Sequence, residues 1–159
     1  MDIDITTIVL SILALSTFII PILYSEVFRK RGAKQFEKQF IELGEQKGMD
    51  LTRHDAWRKS YAIGLDEGKN KLFYFRKNSS SDETLTLDLS KATRAKVSRA
   101  EKNIKTATGK TTYVSRVDLI ISENGDSQKL EFFRGDDGKT LMDEISLAEK
   151  WSRTINNRN

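Results

Sequence analysis

The longest uninterrupted apolar segment of the chain lies near its N-terminus. Residues 5–25 contain no charged side chain, and Asp4 and Glu26 bound the segment. A helix needs about 20 apolar residues to cross a bilayer core, so the pattern predicts a transmembrane anchor within residues 1–28. A cleaved signal peptide and a buried core helix are the alternatives. A signal peptide would begin with basic residues, whereas this chain has Asp2 there. A core helix would have a polar face, and this segment has none.

Basic residues follow this segment and none precedes it. Because positively charged flanks stay on the cytoplasmic side of a membrane, we expect a single-pass inner-membrane protein with its N-terminus outside and its C-terminal domain in the cytoplasm. A topology signal alone is the simpler interpretation of these side chains. They are also candidate contacts to anionic lipid headgroups at the membrane surface: Arg29, Lys30, Arg31 and Lys34.

The next segment has the period of an amphipathic helix. Phe36, Phe40 and Leu43 are spaced at i, i+4 and i+7 within residues 33–47, which predicts one apolar face. This face could lie on a membrane, pair with a second copy or dock on the following domain, and docking is the simplest. The chain then divides into an anchor, a basic segment with the linker helix, and a folded domain: 1–28, 29–48 and 49–159.

From residue 49 onward the pattern changes to the two-residue period of β-strands. Leu85, Leu87 and Leu89 alternate with polar residues, and Asn124–Gly125 is typical of a tight hairpin turn. Six consecutive strands follow from this pattern, with a long polar loop over Asn103–Lys110. We therefore predict an α+β fold, in which an antiparallel barrel of six or seven strands is closed by a C-terminal helix. The face of that helix carries Leu141, Ile145, Ala148, Trp151 and Ile155.

Two segments of this region resemble a pleckstrin-homology-like domain. The run Y-A-I-G-L-D-E-G-K-N-K-L-F-Y-F over 61–75 is similar to its first hairpin, and L-A-E-K-W-S-R-T-I over 147–155 is similar to its closing helix. The whole chain resembles uncharacterised bacterial single-pass membrane proteins with a cytoplasmic domain of this kind. The resemblance implies a seventh strand, in Leu51–Ala56 or in the Asn103–Lys110 region, unless this chain lacks it. It carries over no lipid specificity, because the phosphoinositide-binding spacing K-x-n-[KR]-x-R is not reproduced.

Composition and charge exclude several classes of protein. The chain has 159 residues with no cysteine and one histidine, so it has no disulfide framework, thiol nucleophile or zinc ribbon. Its net charge is +4, and a basic run follows the predicted third strand and includes the fourth. That run is a candidate contact to a protein partner or an anionic surface, or else a solvated edge strand. It has no interleaved aromatic side chains, so we expect no nucleic acid. The residues are Lys91, Arg94, Lys96, Arg99, Lys102 and Lys105.

No motif points to catalysis or to a cofactor. Gly109-Lys110-Thr111 and Gly138-Lys139-Thr140 lack the earlier glycine of a phosphate-binding loop. His54 lies beside Asp55 without a nucleophile at informative spacing, and Asp136-Asp137 lacks the calcium-loop spacing. We therefore expect no catalytic, cofactor-binding or metal-ligating residue.

These patterns together predict a non-enzymatic, membrane-tethered interaction or adaptor module. It would contact the bilayer through residues 5–25 and present the pleckstrin-homology-like domain at the cytoplasmic membrane face to a protein partner. The alternative is a small accessory subunit of a membrane complex, held through its transmembrane helix.

Overall fold

Seven strands and two helices make up the part of the chain that the computed structural model describes, which is residues 14–15, 17, 30–78, 80–106, 109–123, 125–135 and 140–158. Helix α1 covers 30–46 of the described residues, and helix α2 covers Glu144–Asn156. The strands are β1 Arg53–Trp57, β2 Tyr61–Asp66, β3 Lys71–Arg76, β4 Glu83–Asp88, β5 Ala92–Thr106, β6 Gly109–Glu123 and β7 Asp126–Arg134.

The predicted transmembrane anchor is corrected by this structure. No helix formed by the described residues is long and apolar enough to cross a bilayer. This finding contradicts the predicted single-pass topology and the inner-membrane location that rested on it. Only residues 14, 15 and 17 of the predicted anchor are described, and its remainder lies outside the described residues together with Arg29.

The predicted barrel is also wrong, because the strands form two separate open sheets. Strands β1 to β4 form one antiparallel sheet in chain order, and β5 to β7 form the other. The described fold is therefore mostly β instead of α+β. The seventh strand does exist, and it is β1, which overlaps the first of the two segments named for it.

The middle strands of the first sheet are buried on both faces. On the inner face, Ile63 and Tyr74 join the main core, which also holds Leu119 of β6. On the outer face, Phe73 and Phe75 pack against α1. This double coverage explains why Leu72–Phe75 reads as a continuous apolar run instead of an alternating one.

Helix α1 docks on the folded domain, as its amphipathic pattern predicts. The ring of Phe40 stacks on Phe73 with centroids 5.2 Å apart, and Phe36 stacks on Phe75 at 5.6 Å. A Cβ at Gly64 would lie 3.1 Å from Phe40 Cε1. Glycine at this position of β2 therefore allows the helix to approach the sheet closely.

Helix α2 packs on the main core, to which both sheets contribute. Ala148, Trp151 and Ile155 are buried in the main core, and the partly buried Ile145 packs against it, so the predicted apolar face is confirmed. Leu141 also packs against this core but precedes the helix, which begins at Glu144. Polar bonds attach the helix to both sheets. Trp151 Nε1 donates to Asp55 Oδ2 of β1 at 2.8 Å, and Asn156 Nδ2 donates to Ala95 O of β5 at 2.9 Å.

The predicted polar loop over Asn103–Lys110 is wrong. Strands β5 and β6 each have 15 residues and pair continuously, from Ala92 opposite Glu123 to Thr106 opposite Gly109. The outer part of this hairpin extends past the core, so neither of its faces requires apolar side chains. Its sequence therefore lacks the alternation by which a half-buried strand is recognised.

Candidate protein-interaction surface

The hairpin of β5 and β6 ends in a two-stranded arm, which we define as residues 101–106 and 109–114. Strand β6 pairs with β7 only between Arg116 and Glu123, so the arm has no third strand. A register shift marks its base, where Ser115 is the extra residue on β6. The hydroxyl of Ser115 donates to Ala100 O at 3.1 Å and is largely buried.

A row of cations runs along one face of β5 and onto the arm. Ala95 and Val97 point into the main core, so the alternating residues point away from it. Arg94, Lys96 and Lys102 therefore share the outer face of β5, and all three are exposed. The bulge lies on β6, so the alternation along β5 is not interrupted between them.

Two large apolar side chains continue this outer face at the arm. Ile104 lies two residues after Lys102 on the same strand, and Tyr113 lies directly opposite Lys102 on β6. Ile104 is 49% exposed and Tyr113 is 36% exposed. The sequence pattern predicted that Ile104 lies in a loop and that Tyr113 begins the strand after it. Only the register of the hairpin reveals that the two side chains share a face.

The remaining residues of the predicted basic group do not join this row. The guanidinium of Arg99 contacts the carboxylate of Glu149, and this ion pair attaches α2 to β5. Lys91 is exposed in a short 3₁₀ helix between β4 and β5. The side chain of Lys105 lies outside the described residues, so its position on the surface stays a prediction.

The basic residues of α1 lie on the other side of the molecule. Lys30, Arg31 and Lys34 are exposed, and α1 packs on the outer face of the first sheet. The second sheet packs on the inner face of that sheet. One flat surface therefore cannot contact both basic groups, and the two must be considered separately.

A buried carboxylate joins the two sheets. Glu131 Oε1 of β7 accepts from the hydroxyl of Tyr61 at 3.0 Å and lies 3.1 Å from Arg76 Nη2. Glu131 Oε2 accepts from Arg134 Nε at 2.8 Å. Burial, followed by the negative charge of Glu131, raises the pKa of Tyr61 to about 12. This group is a structural contact between β2, β3 and β7.

The single histidine also has structural contacts. His54 lies in β1, and its Nε2 is 3.0 Å from Glu37 Oε1 on α1. Asp55 bonds to Lys150 and Trp151, not to His54. Among the described residues, no group of three or more His, Asp and Glu side chains is placed to hold a metal ion.

Comparison with known proteins adds no relative. No protein-family model matches the chain, and neither a curated protein nor a solved structure matches it. The pleckstrin-homology-like resemblance therefore stays a prediction.

Proposed function

We propose that this chain is a non-enzymatic interaction module that binds an acidic segment of a partner protein. In this proposal the partner's acidic segment binds along the outer face of β5 and the arm. The observation that carries this proposal is the row formed by Arg94, Lys96 and Lys102, which ends beside Ile104 and Tyr113.

Charge supports an acidic partner. Arg94 and Lys96 have no carboxylate within ion-pair distance among the described residues, in contrast to Arg99 and Arg76. Acidic side chains on a partner would neutralise the like charges of the row and steer the encounter. The same repulsion disfavours a second copy of this chain, because pairing two such faces would bring like charges together.

The apolar pair supports a protein over a diffuse anion. Ile104 and Tyr113 expose apolar surface at the end of the cationic row, and protein interfaces commonly combine an apolar centre with a polar rim. Aromatic side chains are enriched among the residues that dominate binding energy. The partner segment should therefore carry apolar residues next to its acidic ones.

A labelled twelve-residue peptide of alternating glutamate and valine provides the test, with binding to the full chain followed by fluorescence anisotropy. We expect saturable binding that is weakened at least about tenfold, or 1.4 kcal/mol, in Lys96→Glu/Lys102→Glu. Ile104→Ser/Tyr113→Ser should weaken it by a similar factor. The matched control is Lys34→Glu on α1, which should leave the affinity unchanged.

Three outcomes would contradict the proposal. The peptide could fail to saturate, or Lys34→Glu could weaken binding as much as the changes on β5. The third is a single-stranded oligonucleotide that binds more tightly than the peptide with the same dependence on Lys96 and Lys102, since this would assign the surface to nucleic acid.

A further inference from the structure

A second charged concavity lies apart from β5 and the arm. It has a volume of about 410 Å³ and is formed by β1, the turn between β2 and β3, and the C-terminal half of α2. Its walls hold one acidic residue, Glu67, and four cations, which are Arg53, Lys150, Arg153 and Arg158.

The ion pairs inside this concavity leave most of its donors unused. Arg53 Nη2 and Arg158 Nη1 both lie 3.4 Å from the same oxygen, Glu67 Oε1. These contacts are long for charge-assisted hydrogen bonds, which are usually 2.7–2.9 Å. A guanidinium has five N–H donors, so each arginine keeps donors that Glu67 does not engage. Arg153 has no carboxylate within ion-pair distance among the described residues.

The charges of the concavity do not balance. Lys150 is matched by Asp55, with Nζ 2.7 Å from Oδ2, and Glu67 matches one of the three arginines. Two positive charges therefore remain without a counter-charge. A phosphate monoester carries about −1.5 to −2 at pH 7, and guanidinium groups match phosphate oxygens in a bidentate geometry.

We infer that this concavity binds a phosphate monoester as its dianion, held by Arg53, Arg153 and Arg158. Cations near the C-terminal end of a helix also interact favourably with its dipole, which accounts for Arg153 in the last turn of α2 and for Arg158 just after it. It does not account for Arg53, which reaches the same space from β1.

Isothermal titration calorimetry on the full chain tests the site with methyl phosphate and methyl sulfate, which differ in charge but hardly in shape. We expect saturable methyl phosphate binding, at least about tenfold tighter than methyl sulfate. Arg153→Gln should weaken it about tenfold. Lys34→Gln removes the same charge from α1 and should have no effect.

Arg158→Lys tests the geometry while keeping the charge, and it should also weaken methyl phosphate binding. Thermal unfolding checks that both variants fold. Methyl phosphate can be compared with a Gly-phosphoserine-Gly tripeptide: tighter binding of the tripeptide assigns the ester to a phosphorylated chain, and equal binding assigns it to a small free ester. Either result supports the site.

The inference is overturned if methyl phosphate does not saturate or if methyl sulfate binds equally well. Equal losses in Arg153→Gln and Lys34→Gln would also overturn it, since they would show attraction to the overall positive charge. None of these variants changes a residue of β5 or the arm, so this inference and the proposed function can fail independently.

Discussion

At the scale of single residues, Glu131 decides how the two sheets meet. Its carboxylate is 4% exposed and contacts Tyr61, Arg76 and Arg134. Removing one member of a buried charged group leaves the others desolvated without their partner. The backbone is involved as well, because the hydroxyl of Tyr74 donates to Glu131 O at 2.6 Å.

Glu131→Gln should lower the free energy of unfolding by about 2–3 kcal/mol. Removing one member of a buried ion pair lowers the stability of a protein by about 3–5 kcal/mol. The arginines around Glu131 are partly exposed, so we expect a smaller loss here. Urea denaturation measures the change. Glu83→Gln is the matched control, because Glu83 contacts Arg76 at 3.4 Å but is 57% exposed, so it should cost less than about 0.5 kcal/mol. Equal losses in the two variants would contradict this role of Glu131.

Sequence alone does not reveal this role of Glu131. It stands between Leu130 and Phe132 in a strand that reads as alternating, so a solvent-exposed position is the natural interpretation. The register shift between Val117 and Asp118 disturbs that alternation, and Leu130 through Phe133 are all buried. A bulge of this kind depends on the pairing of β6 with β7, which the pattern of one strand does not contain.

At the scale of elements, α1 and α2 attach to the sheets by different means. Helix α1 uses stacked rings, with Phe36 and Phe40 on the outer face of the first sheet. Helix α2 adds polar bonds to its apolar face, among them Ser152 Oγ donating to Ala95 O at 2.9 Å. The i, i+4 spacing predicted the apolar faces of both helices, but not the residues on which those faces pack.

Phe40→Ala should lower the free energy of unfolding by about 3–4 kcal/mol, as expected when a fully buried phenylalanine is truncated. Phe40 is 0% exposed and lies against Phe73 and Gly64. Leu43→Ala on the same helix removes a partly buried side chain and should cost about 1 kcal/mol. The measurement is chemical denaturation followed by circular dichroism. A loss in Phe40→Ala no larger than in Leu43→Ala would show that α1 does not depend on this contact.

At the scale of the whole molecule, the described structure is a series of layers with one unsupported extension. Helix α1, the first sheet and the second sheet follow one another, and α2 packs on the main core that the two sheets share. Val114 at the base of the arm still packs against the main core. Beyond it the described part of the arm leaves this stack, because β7 pairs with β6 only between Arg116 and Glu123. A two-stranded hairpin without further packing has little stability of its own.

Backbone amides of the arm should therefore exchange with solvent at least about a hundredfold faster than those of β2 and β3. The arm opens locally, whereas the middle strands of the first sheet open only when the whole domain unfolds. Hydrogen exchange followed by mass spectrometry compares the two regions in the full chain. Similar protection of both regions would mean that a part of the molecule covers the arm. The arm could then not serve as the proposed binding surface.

The sequence by itself determined the local features of this protein: an amphipathic helix before the strands, a consecutive series of antiparallel strands, a C-terminal helix with a buried tryptophan, and a basic run. Periodicity reports these because burial of one face requires apolar residues at regular spacing. Only the tertiary structure decided how the sheets are divided and that Arg99 binds α2 while Arg94, Lys96 and Lys102 share a face. It also brings Arg53 of β1 to the same concavity as Arg153 and Arg158. These relations depend on register and on contacts between residues far apart in the chain, and a one-dimensional pattern does not record either.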